Sequence, residues 1–321
     1  MSRTKSAAFL FVLVAACGGK SSPPPTTPLP DDQPAEPKVE ETKPAEPAPE
    51  AKPAPQPVTV NLPASKATVK LTKPGKGKKA PLEYKFAVGP AGGVDLTMDM
   101  SFTMGTMANS MTMKLGLANE ILEVGADGTI KMKQSLTSAS AEAKDGQGNA
   151  APQSLDAIIG TTIEATMSSH GVPGERKVTT PPIEDPAMVQ TLTQIPHLSI
   201  ALPDKPVGTG ATWEVSEPLG IEGLDATVTT VYKLVSRKGK TTTIEGNSTV
   251  TGGAQAGADA AQQMKIDEIK GTGKSTFVLE EGKLLAKTDA NQTLTIKATV
   301  QGQQPQQMEL VLVTHLSAAG K

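Results

Sequence analysis

The residues able to do chemistry in this chain of 321 are few and unevenly placed. Its one thiol, Cys17, follows Val14, Ala15 and Ala16 directly after the apolar run 7–14, and Arg3 and Lys5 precede that run. A single cysteine excludes a disulfide framework and any multi-cysteine metal site. The next soft atoms are six thioethers, at Met98, Met100, Met104, Met107, Met111 and Met113. Thioethers in Met-x-Met spacing can hold Cu(I). They also fill irregular cores and line adaptable apolar surfaces. Core packing leads these three readings, and no metal or other cofactor is expected. If the run instead lines a cavity, the candidate lining is Met98, Met100, Met104 and Met113, with Phe102 and Trp213 beside them.

Harder chemistry finds no constellation. Gly271-Thr272-Gly273-Lys274-Ser275-Thr276 ends like a phosphate-binding loop, but Glu268 stands where that loop needs its first glycine. A turn or the flexible start of a strand is the expectation there. His170, His197 and His315 lie far apart, and neither His-Glu-x-x-His nor Gly-x-Ser-x-Gly occurs. Acidic residues alternate with Thr and Lys, so no carboxylate pair presents itself as acid and base. The chain reads as a non-enzyme. A net charge of −2 gives no field to gather nucleic acid.

A basic start, a short apolar core and small residues form an export-type segment. Its eight apolar residues fall short of the roughly 20 that a membrane span requires. Val14-Ala15-Ala16-Cys17 resembles the lipobox of bacterial prolipoproteins. The resemblance implies that residues 1–16 are a signal peptide, and that Cys17 becomes an N-terminus acylated on its thiol and its amine. Acylated Cys17 would then be the protein's link to the membrane. Several acyl chains anchor stably because each buried methylene contributes about 0.8 kcal/mol. Gly18, in place of the aspartate of inner-membrane retention, implies the outer membrane.

Stepping outward from Cys17, the stretch 21–57 carries 13 of the 27 prolines, interleaved with Ala, Glu and Lys. Such a composition cannot bury enough apolar surface to offset ordering entropy. Residues 17–58 are therefore read as a disordered, polyproline-biased spacer, whose Pro-rich stretch 21–57 could extend to about 115 Å at about 3.1 Å per residue.

Residues 59–321 read as a single β-rich domain. Val94, Leu96, Met98, Met100, Phe102 and Met104 alternate with Asp95, Thr97, Asp99, Ser101 and Thr103, the period-2 mark of a half-buried strand. Residues 111–117 and 293–300 repeat the pattern. Turn chemistry falls at Ala126-Asp127-Gly128, Arg237-Lys238-Gly239 and Glu281-Gly282. Residues 154–159 and 184–194 suit short helices. Lys70, Lys73, Lys76, Lys78 and Lys79 form a basic cluster, read as a solvated loop. The expected fold is mainly β, with ten or eleven strands in one large curled antiparallel sheet, a half-barrel or open barrel with one or two short helices. Only six aromatic residues follow the spacer, too few for the girdles of a membrane-spanning barrel.

This combination is similar to periplasmic lipoproteins of the lipoprotein-carrier type, whose half-barrel encloses an apolar cavity. Pro206-Val207-Gly208-Thr209-Gly210-Ala211-Thr212-Trp213 also resembles the Pro-Val-Gly-x-Gly-x-x-Trp turn of uncharacterised β-rich bacterial lipoproteins. The first resemblance covers architecture and the second about thirteen residues, 203–215, and neither transfers an activity. The expectation for function is an envelope protein that either binds lipid or another apolar ligand in a half-barrel cavity, or presents its sheet surface to envelope partners around a filled core.

Overall fold

The computed structural model of the chain describes residues 56–104, 107–183, 186–193, 198–219, 224–254, 264–300 and 306–318. Cys17, the signal-like segment and the spacer up to residue 55 lie outside the described residues, as does His197.

Sixteen strands and one short α-helix make up the described chain. In order they are β1 (Pro57–Leu62), β2 (Thr68–Lys73), β3 (Lys76–Ala80), β4 (Gly89–Met104), β5 (Met107–Val124), β6 (Thr129–Lys144), β7 (Ala150–Ser154), β8 (Thr162–Ser168), β9 (Pro173–Pro182), α1 (Pro186–Thr193), β10 (Val207–Thr209), β11 (Thr212–Pro218), β12 (Leu224–Lys238), β13 (Thr241–Ala254), β14 (Met264–Glu280), β15 (Lys287–Val300) and β16 (Gln306–Ala318). Fourteen strands form one antiparallel sheet in the order β1-β9-β8-β6-β5-β4-β16-β15-β14-β13-β12-β11-β2, with β7 on β6, while β3 and β10 form a separate ribbon.

The alternation in the sequence explains the long strands. On β4, Val94, Leu96 and Met98 are buried while Asp95 is exposed, so one face meets a core and the other water. Hairpin turns fall at the three expected sites between β5 and β6, β12 and β13, and β14 and β15.

Several expectations are corrected. Strands number sixteen among the described residues, not ten or eleven; β3, β7 and β10, of three to five residues, are too short to display a period. The domain begins earlier than residue 59, since Pro57 and Val58 already pair with Pro182 and Thr180 of β9. Residues 154–159 hold the end of β7 and a single 3-10 turn at Asp156–Ile158, not an α-helix. Six residues at helical spacing cannot offset the cost of a helix nucleus. Gly271 to Thr276 lie inside β14, neither at a turn nor at a strand start. Of the basic cluster, Lys70 and Lys73 sit on β2 and Lys76, Lys78 and Lys79 on β3, all exposed, rather than in a loop.

One connection fixes the shape of the sheet. Laid flat, 13 strands in sequence would span about 58 Å at about 4.8 Å per step. Yet β1 and β2 occupy opposite edges, and only residues 63–67 join them. Six Cα steps reach at most about 22 Å. The sheet must therefore curl until its edges nearly meet. They do not pair, so it remains open along a seam. Ser65, in the joining loop, donates its backbone N–H to Pro173 O at 3.1 Å on the β9 side. Its hydroxyl accepts the Ala67 N–H at 3.1 Å, and its side chain acts to lower the Glu217 carboxyl on the β11 side.

Inside the curl lies one large apolar core that draws on strands from both edges, with Val178 of β9, Leu96 of β4, Ile244 of β13 and Trp213 of β11 all buried. Three irregular segments fold inward at one end and fill it: residues 82–86, 198–202 and 284–285, through Leu82, Tyr84, Leu198, Ile200, Leu202, Leu284 and Leu285.

Candidate functional site

Register turns the inner face into rows that can be followed from strand to strand. Met98 pairs with Met113 of β5 on one side and Thr314 of β16 on the other. The same row runs through Ala290, Ser275, Gly246 and Tyr232 to Trp213. Side chains on the inside of a tight curl crowd together, which accounts for the small residues in its middle. At Gly246 the vacant Cβ position is covered by the Tyr232 ring, 3.0 Å away.

Trp213 closes this row. It is fully buried, stacks on Tyr232 with centroids 5.6 Å apart, and donates its indole N–H to Ala201 O at 2.9 Å. Tyr232 in turn meets Phe277 edge-on at 5.9 Å. Burial raises the Tyr232 hydroxyl above its ordinary pKa, with the nearby Glu217 charge adding to the effect. Tyr84 is raised by burial too, although its oxygen accepts the Ile200 N–H at 3.0 Å. These phenols stay neutral and serve packing.

Two rows further along β4 the surroundings change. Phe102 heads a row that continues through Leu310, Leu294, Gly271, Val250 and Val228 on five neighbouring strands. Leu294 leans over Gly271, so the apolar strip is continuous across the glycine. Val250, Ile269 and Ile296 form a second buried cluster, against which Phe102, Leu219, Val228 and Leu294 pack half-buried. Between the clusters runs a row containing Gln292, Ser248 and Thr230, in which the two hydroxyls bond at 3.0 Å. Glu217, opposite Val228, ends the apolar row at the seam. Its side chain reaches solvent, yet partial desolvation pushes its carboxyl above the usual range, opposed by the Ser65 hydroxyl.

The six candidate lining residues are therefore divided. Met98 and Trp213 belong to the large core, Met113 packs against it, and Phe102 packs against the second cluster. Met100 is half-buried between them, and Met104 is paired with Met107 in the backbone register. At the filled end a cavity beside Met132, Gln134 and Arg176 amounts to about 20 Å³, room for about one water. Sequence reasoning missed Tyr232, Phe277 and Glu217. The first two alternate with Thr and Val in long strands, a signal that they face the core, while Glu217 gives none.

The Pro-Val-Gly-x-Gly-x-x-Trp segment is a structural device. Val207 and Ala211 are buried, and Gly208 lies against the β3 backbone, where an added Cβ would sit 2.2 Å from Lys76 O. Gly210 has φ +79°, which turns the chain from β10 into β11 and delivers Trp213 to the core.

Residues 189–283 match a family of unknown function, DUF6263. The matched span contains Trp213, Tyr232 and Phe277 and ends before β15; β4 and β5, with the methionine run, lie outside it. No curated protein and no solved structure matches the chain.

Among the described residues, the remaining candidates lie apart from one another. His315 Nδ1 lies 3.1 Å from Asp289 Oδ1 on the exposed face, beside Lys287 at 2.9 Å from the same carboxylate. Lys287 and His315 hold that carboxyl below its usual range. His170 stands in the turn before β9 and gives its carbonyl to Leu202 N–H at 2.7 Å. Among the described residues, no three or more His, Cys, Asp or Glu side chains are gathered to hold a metal ion.

Proposed function

We propose that this is a lipid-anchored envelope protein, held in the outer membrane through acylated Cys17, whose sheet acts as a half-barrel that binds an apolar ligand such as a long acyl chain. It acts by binding, not catalysis. The observation that carries this reading is the change in burial along one strand face. On β4, Val94, Leu96 and Met98 are 4%, 1% and 9% exposed, whereas Met100 and Phe102 are half-buried. The curl is filled at the Trp213 end, whereas toward the Phe102 end the β4 face becomes half-buried beside a cluster in which Val250, Ile269 and Ile296 stay buried. There an apolar strip crosses six strands, about 24 Å at about 4.8 Å per step. That length suits an extended acyl chain. Few polar groups lie along the strip, as expected of a site that selects by apolar area.

A titration with a fluorescent acyl probe tests the reading. Saturable binding should be lost in Leu294→Lys, which places a charge in the middle of the strip, and retained in Lys274→Ala on the outer face. Binding unaffected by Leu294→Lys would reject the strip as the site.

One observation favours a second reading, an interaction protein with a filled core. The interior around Trp213 is packed, and the outer faces of β12 to β15 present threonines in register, Thr229, Thr249, Thr272 and Thr293. On this reading the acyl probe finds no saturable site, and envelope partners dock on the sheet surface.

A further inference from the structure

The methionine run forms a definite pattern once the register is known. Met98 stands opposite Met113 and Met100 opposite Met111 on adjacent antiparallel strands, all four on the inner face. Their Cβ atoms form a rectangle about 5 Å across the pair and about 6.8 Å along each strand. A methionine side chain has three rotatable bonds and a sulfur near its tip, so four thioethers rising from one such rectangle can converge above its centre.

The neighbouring strands bring no competing ligand to that point. Beyond Met113 and Met111, β6 places Ala141 and Ala143 in the same rows. Beyond Met98 and Met100, β16 places Thr314 and Leu312. No carboxylate, imidazole or thiolate joins these rows on either adjacent strand. A set of neutral, polarizable sulfurs selects soft cations. Having no anionic ligand to offset charge in a partly desolvated site, it suits a monovalent ion over a divalent one. Access is from the open end: Met98 is 9% exposed, while Met100, Met111 and Met113 are half-buried.

We infer that Met98, Met100, Met111 and Met113 form a thioether site for a soft monovalent cation, Cu(I) or Ag(I). It is independent of the acyl-binding reading, because binding of the ion uses the sulfurs and not the apolar area of the strip.

The test is an anaerobic Cu(I) titration of the whole chain against a chromophoric Cu(I) chelator, with Ag(I) followed by native mass spectrometry. The chain should withdraw a single Cu(I) from the chelator and retain a single Ag(I), and should take up no Zn(II) at these residues. Replacing all four methionines by leucine keeps the apolar volume and removes the sulfurs, so Cu(I) affinity should fall by about tenfold or more. The pair Met100→Leu with Met111→Leu, at half-buried positions, serves if the fourfold variant does not fold, and should weaken binding in the same direction. Circular dichroism establishes that each variant tested is folded. Unchanged Cu(I) affinity in a folded leucine variant, or no Cu(I) withdrawn by the unaltered chain, overturns the inference. Leu294→Lys, which should abolish acyl-probe binding, should leave Cu(I) uptake unchanged, so the two sites fail separately.

Discussion

Trp213 and Tyr232 are direct cross-strand partners on β11 and β12, and their rings stack with centroids 5.6 Å apart. The pair brings a strand one step from the seam into contact with the centre of the core. Because Trp213 also bonds Ala201, it ties the inward-folded segment 198–202 to the sheet. Trp213→Ala should therefore cost about 3–5 kcal/mol, typical of a large aromatic removed from a packed core. Trp213→Phe should cost less, leaving the Ala201 carbonyl without its donor. Urea unfolding monitored by circular dichroism reads both.

Two glycines, five and three residues before Trp213, differ in why they are needed. At Gly208 an alanine methyl would lie 2.2 Å from a backbone oxygen, which cannot yield without moving β3. At Gly210 the space is open and only the positive φ resists a side chain, at a cost of about 1–2 kcal/mol. Gly208→Ala should thus lower the thermal midpoint clearly more than Gly210→Ala. Equal effects would mean that β3 does not pack on β10 as described.

Acid should loosen particular turns first. Asp127 accepts the Thr129 N–H and hydroxyl, each at 2.9 Å, and these bonds hold its carboxyl below the usual range. Asp145 is likewise lowered by Asn149, through its side chain and its backbone N–H. A carboxyl whose folded pKa is depressed contributes stability above its unfolded value, about 3.9, and loses it as pH falls through the lower folded value. Amide exchange at Thr129 and Asn149 should accelerate as pH falls below about 4, after correction for intrinsic rates. Asp127→Asn should remove the pH dependence at Thr129 alone.

The sequence makes some of this structure legible and hides the rest for physical reasons. The alternation at Val94 to Met104 reads as a strand because one face is buried and the other is wet. Segments 82–86 and 198–202 carry no period, since they are irregular chain held by single contacts such as Tyr84 with Ile200. Nothing local indicates that they fill one end of the curl. The curl itself appears only when β1 and β2, neighbours in sequence, are found at opposite edges. Of the candidate site, Met98 and Phe102 are recognisable as one face of one strand. Their assignment to different clusters depends on Gly271, Ser248 and Thr230 on other strands, which the run around Met98 does not encode.

The anchor has its own test. Cys17→Ala should leave the protein as an uncleaved precursor or release it from the membrane fraction. Mass spectrometry of the unaltered protein should find an N-terminal cysteine carrying acyl chains. An unmodified Cys17, or cleavage at another position, would contradict the lipobox reading.

The central claim is that the open end of the curl holds an apolar ligand. Its most direct measurement is native mass spectrometry of the protein purified from its host, after proteolysis within residues 21–55 has released the domain from the membrane. The account predicts a bound species of lipid mass that dissociates on unfolding and is absent when Leu294→Lys is purified in parallel. A bare mass for the unaltered protein, under conditions where the domain remains folded, would contradict it.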